Sequence, residues 1–175
     1  VRRTNFASMR VGETLVLVGA TVGDLGASLY LRELLGREDG APPPVDLTAE
    51  RRNGDFVRAL IGDGAVSAVH DLSDGGLVAA AAEMAMASNQ GISLRLPDTD
   101  AAVAMLFGED QARYLLAAKD VAPILAAAAA AGVPAVAIGA AEGEALSVDG
   151  LFSLPLARLR EAHETWLPGY MESAV

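Results

Sequence analysis

The chain has 175 residues, which suits one domain, and a hydrophobic share of 52% supplies material for a core. It contains no cysteine, so disulfides and thiolate metal sites are excluded, and its net charge of -10 weighs against a nucleic acid or an anionic membrane as partner. No apolar run is long enough and glycine-free enough to span a bilayer, and no secretory signal is visible, so the default expectation is a cytoplasmic protein. Lys119 is the only lysine in an alanine-rich chain, which reads as coding bias. Val1 is not preceded by a methionine, and the expectation is a piece of a longer polypeptide.

Residues 1–9 are polar and irregular, a linker or a strand lent by a neighbouring domain. Residues 14–18 (Thr-Leu-Val-Leu-Val) form a continuous apolar run, the pattern of a buried strand. Gly19, Gly23 and Gly26 then mark a strand-to-helix turn, and a helix is expected up to Leu35, stopped by Gly36. Their spacing matches no dinucleotide fingerprint and carries weak evidence of a phosphate site. Three prolines, 42–44, make a loop. Thr48 is expected to cap the next helix, with Glu50 in its first turn and Phe56, Val57, Leu60 and Ile61 on its apolar face.

The stretch 65–91 organises the chain. A short apolar strand over 65–69 leads into His70-Asp-Leu-Ser-Asp-Gly-Gly76, and an alanine-rich helix follows with Leu77, Ala80, Ala81, Met84 and Ser88 at helical spacing. Ser73 or Asp74 is expected to cap that helix. Gly75 and Gly76 leave its N-terminal N–H groups bare, an arrangement that suits a phosphate. Asp71 and Asp74 oppose direct phosphate contact unless Mg²⁺ lies between. A strand-turn-helix needs a cap and a tight turn in any case, so a purely structural role for the loop stays open. His70 alone reads as a hydrogen-bonded core histidine.

Further strands are expected at 92–96, 113–117, 134–139, 145–148 and 151–154, the last two joined by the hairpin signal Asp149-Gly150. Further helices are expected at 101–107, from Asp120 as cap to Ala131, and from Pro155 to a stop before Pro168. Leu156 and Leu159 face inward in the last helix, His163 reads as a surface residue, and Trp166 as its packing anchor. Seven strands interleaved with six helices imply an α/β (α+β) fold: a mixed β-sheet packed by helices.

At residues 70–76 the sequence resembles the C-terminal domain of phosphoribosylformylglycinamidine synthase, of the aminoimidazole ribonucleotide synthetase superfamily. Further stretches resemble that family in its own order: Gly19-Ala-Thr21 with Gly26-Ala-Ser28, Pro44-Val-Asp46-Leu, the corner Phe107-Gly-Glu109-Asp-Gln111-Ala-Arg113, and Ala131-Gly-Val-Pro134. The resemblance covers roughly residues 12–167. It implies a domain there, preceded by a linker or extension over 1–11 and followed by a tail over 168–175.

The resemblance also implies chemistry. The complete enzyme would use ATP and Mg²⁺ to activate formylglycinamide ribonucleotide at its formamide oxygen, and ammonia from a glutaminase subunit would displace phosphate to give the amidine. Implied partners are upstream domains of the same chain, the glutaminase subunit, a small accessory subunit and a ribonucleotide substrate. The isolated piece is expected to be inactive, to hold no cofactor tightly, and to expose apolar surface that makes a homodimer possible. No catalytic residue is assigned. The nucleotide- or phosphate-binding candidates are Asp71, Ser73, Asp74, Gly75 and Gly76, then Thr21, Gly23, Gly26 and Ser28. His70 and Glu109 are assigned supporting roles. The competing readings are a non-catalytic scaffold, or another ATP-dependent enzyme of the superfamily such as selenophosphate synthetase or thiamine monophosphate kinase.

Overall fold

The structure is a computed structural model, and it describes residues 3–97 and 101–173. Seven strands form one sheet: β1 Thr14–Val18, β2 Ala68–Asp71, β3 Ile92–Leu94, β4 Tyr114–Ala118, β5 Ala135–Ala141, β6 Ala145–Val148 and β7 Phe152–Pro155. Five α-helices pack on it: α1 Leu47–Asp63, α2 Gly76–Ser88, α3 Ala102–Phe107, α4 Ala122–Ala130 and α5 Leu156–Ser173. The strand order is β2-β4-β1-β5-β3-β6-β7, and the sheet is mixed because β3 and β6 run parallel while its other pairs are antiparallel. The expected fold class is therefore borne out.

The continuous apolar runs of β1 and β4 follow from burial on both faces. Leu15, Leu17, Leu115 and Ala117 point to one side, into a core built with α2 and α3. Val16, Val18, Leu116 and Ala118 point to the other, against α1 and α4. Fully burying each of these leucines and valines stabilises the fold by about 1.5–3 kcal/mol. The second core ends at Ala135, so that face of the sheet is covered only beside β2, β4 and β1. All of β7 is exposed.

Several local expectations are corrected. Asp46, not Thr48, caps α1: its carboxylate accepts the N–H groups of Thr48 and Ala49. Both side chains can cap, and the chain takes the one preceding the first apolar turn. β2 lies three residues later than expected, because its register is set by β4, with Val69 opposite Leu116. β3 is shorter than 92–96. Asp120 makes no cap on α4; Val121 stands there with no side-chain hydrogen bond. α5 continues through Pro168, and Pro155 ends β7 instead of opening that helix. A proline removes one N–H from a helix ladder, and on an exposed turn water satisfies the freed carbonyl. Trp166 is no packing anchor: it is 66% exposed and stacks on Tyr170, with ring centroids 5.5 Å apart. The expected helix before Gly36 is a single π-helical turn, Tyr30–Leu34.

Among the described residues, no helix is long and apolar enough to cross a membrane.

Candidate functional site

The strands β1, β2 and β4 deliver three loops to one end of the sheet. β1 runs into the first glycine turn, β2 into the 72–76 loop, and β4 leaves the corner at 107–113. The corner binds both glycine turns through its acidic side chains.

Glu109 is the link. Its Oε1 accepts the N–H of Gly75 at 2.8 Å and the N–H of Leu29 at 2.9 Å. Its own N–H donates to the Asp24 carbonyl at 2.9 Å. Asp110, 5% exposed, accepts the N–H groups of Gly23 (3.1 Å) and Asp24 (3.2 Å). A carboxylate that accepts backbone N–H groups acts as a fixed anion at the head of a loop.

Arg113 secures the corner from below. It is 1% exposed. Its Nε donates to the Asp110 carbonyl at 3.2 Å, one terminal nitrogen donates to Thr21 Oγ1 at 3.3 Å, and the other donates to the Gly108 carbonyl. Its nitrogen also lies 3.6 Å from the Asp110 carboxylate. Burial lowers the guanidinium below its ordinary value, and Asp110 opposes that shift. On the α1 side, Glu50 accepts the Ala112 N–H at 2.9 Å and the Asn53 amide donates to the Ala112 carbonyl at 2.9 Å. These two bonds hold Ala112 at φ +58, a left-handed conformation costly for a residue with a Cβ.

Gly76 is required here for two reasons. Its φ is +67, and a Cβ would meet the Gly108 carbonyl oxygen at 2.5 Å. The loop therefore lies directly on the corner's backbone. Gly75, at φ +77, is the N-cap of α2, and no side chain caps that helix. The expected cap by Ser73 or Asp74 is absent; Glu109 takes the Gly75 N–H in its place.

Of the residues singled out from the sequence, Asp71, Ser73 and Asp74 are exposed at the loop's mouth. The side chains of Ser73 and Asp74 have no hydrogen-bond partner among the described residues. Thr21, Gly23 and Gly26 line the neighbouring turn, and buried Ser28 accepts the Leu31 N–H at 3.3 Å. The structure thus brings the two candidate groups together. His70 lies at the rear of the loop. Its Nε2 is 2.6 Å from Glu83, its Nδ1 is 2.6 Å from the Asp71 carbonyl, and its ring faces Phe6 with centroids 4.9 Å apart. His163 is exposed on α5, where it lines a hollow of about 300 Å³ with Phe6 and Glu83.

Sequence reasoning assigned no role to Asp110, Arg32 or Arg37. Asp110 was legible only as part of the corner motif. Arg32 and Arg37 line a hollow of about 200 Å³ with Ala27, Ser28 and Glu38. Glu33 raises the Arg32 pKa, chiefly through their hydrogen bond, and Asp74 adds a smaller pull. Both arginines are ion-paired, Arg32 with Glu33 and Arg37 with Asp39, and Asp74 acts on Arg32 only as a weaker, more distant charge. Among the described residues, no three His, Cys, Asp or Glu side chains converge on a metal position. Asp71 and Asp74 fit a divalent cation only as the one or two carboxylates that accompany phosphate oxygens.

Residues 10–149 match the family model for the C-terminal domain of AIR synthase related proteins. The chain belongs to this family. Within it, the chain is 60% identical over 171 residues to the phosphoribosylformylglycinamidine synthase subunit PurL of Caulobacter vibrioides, a stretch that is 98% of this chain and 23% of that protein. The chain therefore spans under a quarter of the length of this relative. Among solved structures, Thermotoga maritima PurL complexed with FGAR superposes with a TM-score of 0.74 at 21% identity, covering 89% of this chain and 29% of that one. T. maritima PurL complexed with ATP gives a TM-score of 0.69 at 20% identity, over 89% and 27%. The T. maritima PurLQS structure gives 0.68 at 21%, over 89% and 27%. At these identities the superpositions show that the family fold is shared.

Proposed function

We propose that this chain is the C-terminal domain of a phosphoribosylformylglycinamidine synthase, an ATP-dependent ligase that converts an amide to an amidine in purine synthesis. The observation that carries the reading is the 60% identity to the Caulobacter PurL across 98% of this chain. The corner supports it from the structure side. Glu109, Asp110 and Arg113 hold two glycine turns at one sheet end, with the unpartnered Ser73 and Asp74 side chains at their mouth. In this reading Asp71, Ser73, Asp74, Gly75 and Gly76 face a phosphate-bearing ligand, with Thr21, Gly23, Gly26 and Ser28 on its second side. Asp71 and Asp74 would hold Mg²⁺ in this reading, and the ion would supply positive charge against the ligand's phosphate. Upstream domains of the same polypeptide supply the rest of the site, and a glutaminase subunit supplies ammonia. The chain alone turns over no substrate.

A second reading rests on one specific observation. The Gly75 N–H is already occupied by Glu109, so the loop works as a clamp between neighbours and binds no ligand in this domain.

The deciding experiment replaces the matching region of the Caulobacter protein with this chain and measures ATP- and ammonia-dependent amidine formation. Activity retained in the chimera supports the family reading. A folded chimera that makes no amidine overturns it. In an active chimera, Asp74→Ala and Ser73→Ala then separate the two readings: an increase in the KM for ATP or the ribonucleotide supports ligand contact, and unchanged kinetics support the clamp.

A further inference from the structure

The opposite end of the sheet carries a different feature. Carboxylates outnumber cations in this chain by 23 to 13. Twelve of the cations lie in the described residues, and nine of these hold a carboxylate, a carbonyl or a side-chain amide oxygen. The three whose side chains have no hydrogen bond or ion pair among the described residues are Arg3, Arg10 and Lys119. All three line one pocket of about 480 Å³. In a chain with acid to spare, unpaired cations scattered at random would not be expected to share one cavity.

The pocket's position is fixed by the sheet. Glu13 precedes β1, Ser67 precedes β2 and Lys119 follows β4, so the cavity lies a strand's length, about 13 Å, from the glycine turns. Glu13 is 7% exposed and lies at the back. Its carboxylate already accepts the Arg10 N–H at 2.8 Å and the Ser67 hydroxyl. Arg3, Arg10 and Lys119 thus line a cavity in which the lining carboxylate, Glu13, is held by donors of the chain itself. That combination attracts an anion, and a cleft of this volume is larger than an inorganic phosphate needs.

We propose that this pocket binds a phosphate ester of nucleotide size through Arg3, Arg10 and Lys119, independently of the glycine turns. The test is calorimetric titration of the 175-residue chain with AMP, ribose 5-phosphate, inorganic phosphate and adenosine. Saturable binding of AMP or ribose 5-phosphate is expected, with none for adenosine. Each of Arg10→Gln and Lys119→Gln should weaken it about tenfold, as loss of one charge-assisted contact does. Both side chains are exposed, so the variants keep the fold, and circular dichroism checks that. Arg51→Gln, on α1 away from the pocket, should leave binding unchanged. The proposal is overturned if AMP and ribose 5-phosphate do not saturate, if adenosine binds as well as AMP, or if the Arg10 and Lys119 variants bind like the parent. Inorganic phosphate binding as tightly as AMP overturns the nucleotide-sized ligand. Loss of binding in Asp74→Ala assigns the ligand to the glycine turns instead.

Discussion

One oxygen of Glu109 accepts the N–H of Gly75, 34 residues away along the chain, at 2.8 Å, and also the N–H of Leu29 at 2.9 Å. Two turns that belong to different βα connections are thereby fixed to a single carboxylate. Losing it leaves two part-buried N–H groups without their charged acceptor. Glu109→Ala should cost about 2–4 kcal/mol. For a domain of this size that lowers the Tm by roughly 5–15 °C. Glu109→Gln keeps an acceptor oxygen and should lose less than half as much. Thermal unfolding of the two variants checks this; equal losses would mean that the charge, not the acceptor, holds the turns.

Arg113 makes a sharper case. Its guanidinium is buried under the same corner and satisfies Asp110, Thr21 and the Gly108 carbonyl. Arg113→Met removes the cation and leaves the 5%-exposed Asp110 without it. The expected loss is about 3–5 kcal/mol, most of it from the stranded carboxylate. The double variant Arg113→Met, Asp110→Asn should recover part of that loss, because no buried charge remains unpaired. Urea unfolding of the single and double variants measures the recovery; strictly additive losses would refute the coupling.

The sequence made the frame of this site visible but not its fastenings. The apolar run 14–18 could only be a doubly buried strand, and His70 to Gly76 could only be a strand-turn-helix. The corner 107–113 was recognisable as a motif, yet its physical role was not. An arginine in a sequence reads as surface, and nothing local shows that Asp110, Thr21 and Gly108 will surround Arg113. The cap of α2 was misread for the same reason: Ser73 and Asp74 are local candidates, whereas Glu109 reaches Gly75 only once β2 and β4 have paired. Register likewise decided β2, whose apolar pattern starts at Ala65, three residues before its pairing with β4 begins at Ala68. Trp166 shows the converse error, a large apolar residue assumed to be inward on an exposed helix.

Two glycines should respond in opposite directions to alanine. Gly76 has φ +67 and its Cβ would press on the Gly108 carbonyl at 2.5 Å. Gly76→Ala should therefore cost at least about 1–2 kcal/mol from backbone strain alone. Gly62 lies in α1 with nothing within 4 Å of its missing Cβ. Gly62→Ala should stabilise by about 0.5–1 kcal/mol, through helix propensity and a less flexible unfolded chain. Paired denaturant melts decide both signs, and a neutral Gly76→Ala would show that the loop can lift off the corner.

Tyr114 gives a prediction in pH. Burial raises its phenol above the ordinary 10.0, and the carboxylates of Glu50 and Asp71 add to the shift while Arg58 opposes it. The folded state thus keeps the phenolic proton at a pH where the unfolded chain has released it. Between the two pKa values the unfolded chain binds fewer protons, so stability falls as pH rises. The contribution is fully present below about pH 10, the unfolded value, and is lost as pH climbs through the folded one. Tyr114→Phe has no proton to lose and should flatten the stability profile in that alkaline range. Chemical denaturation of parent and variant at intervals above pH 9 measures it, and parallel profiles would show that this phenol titrates alike in both states.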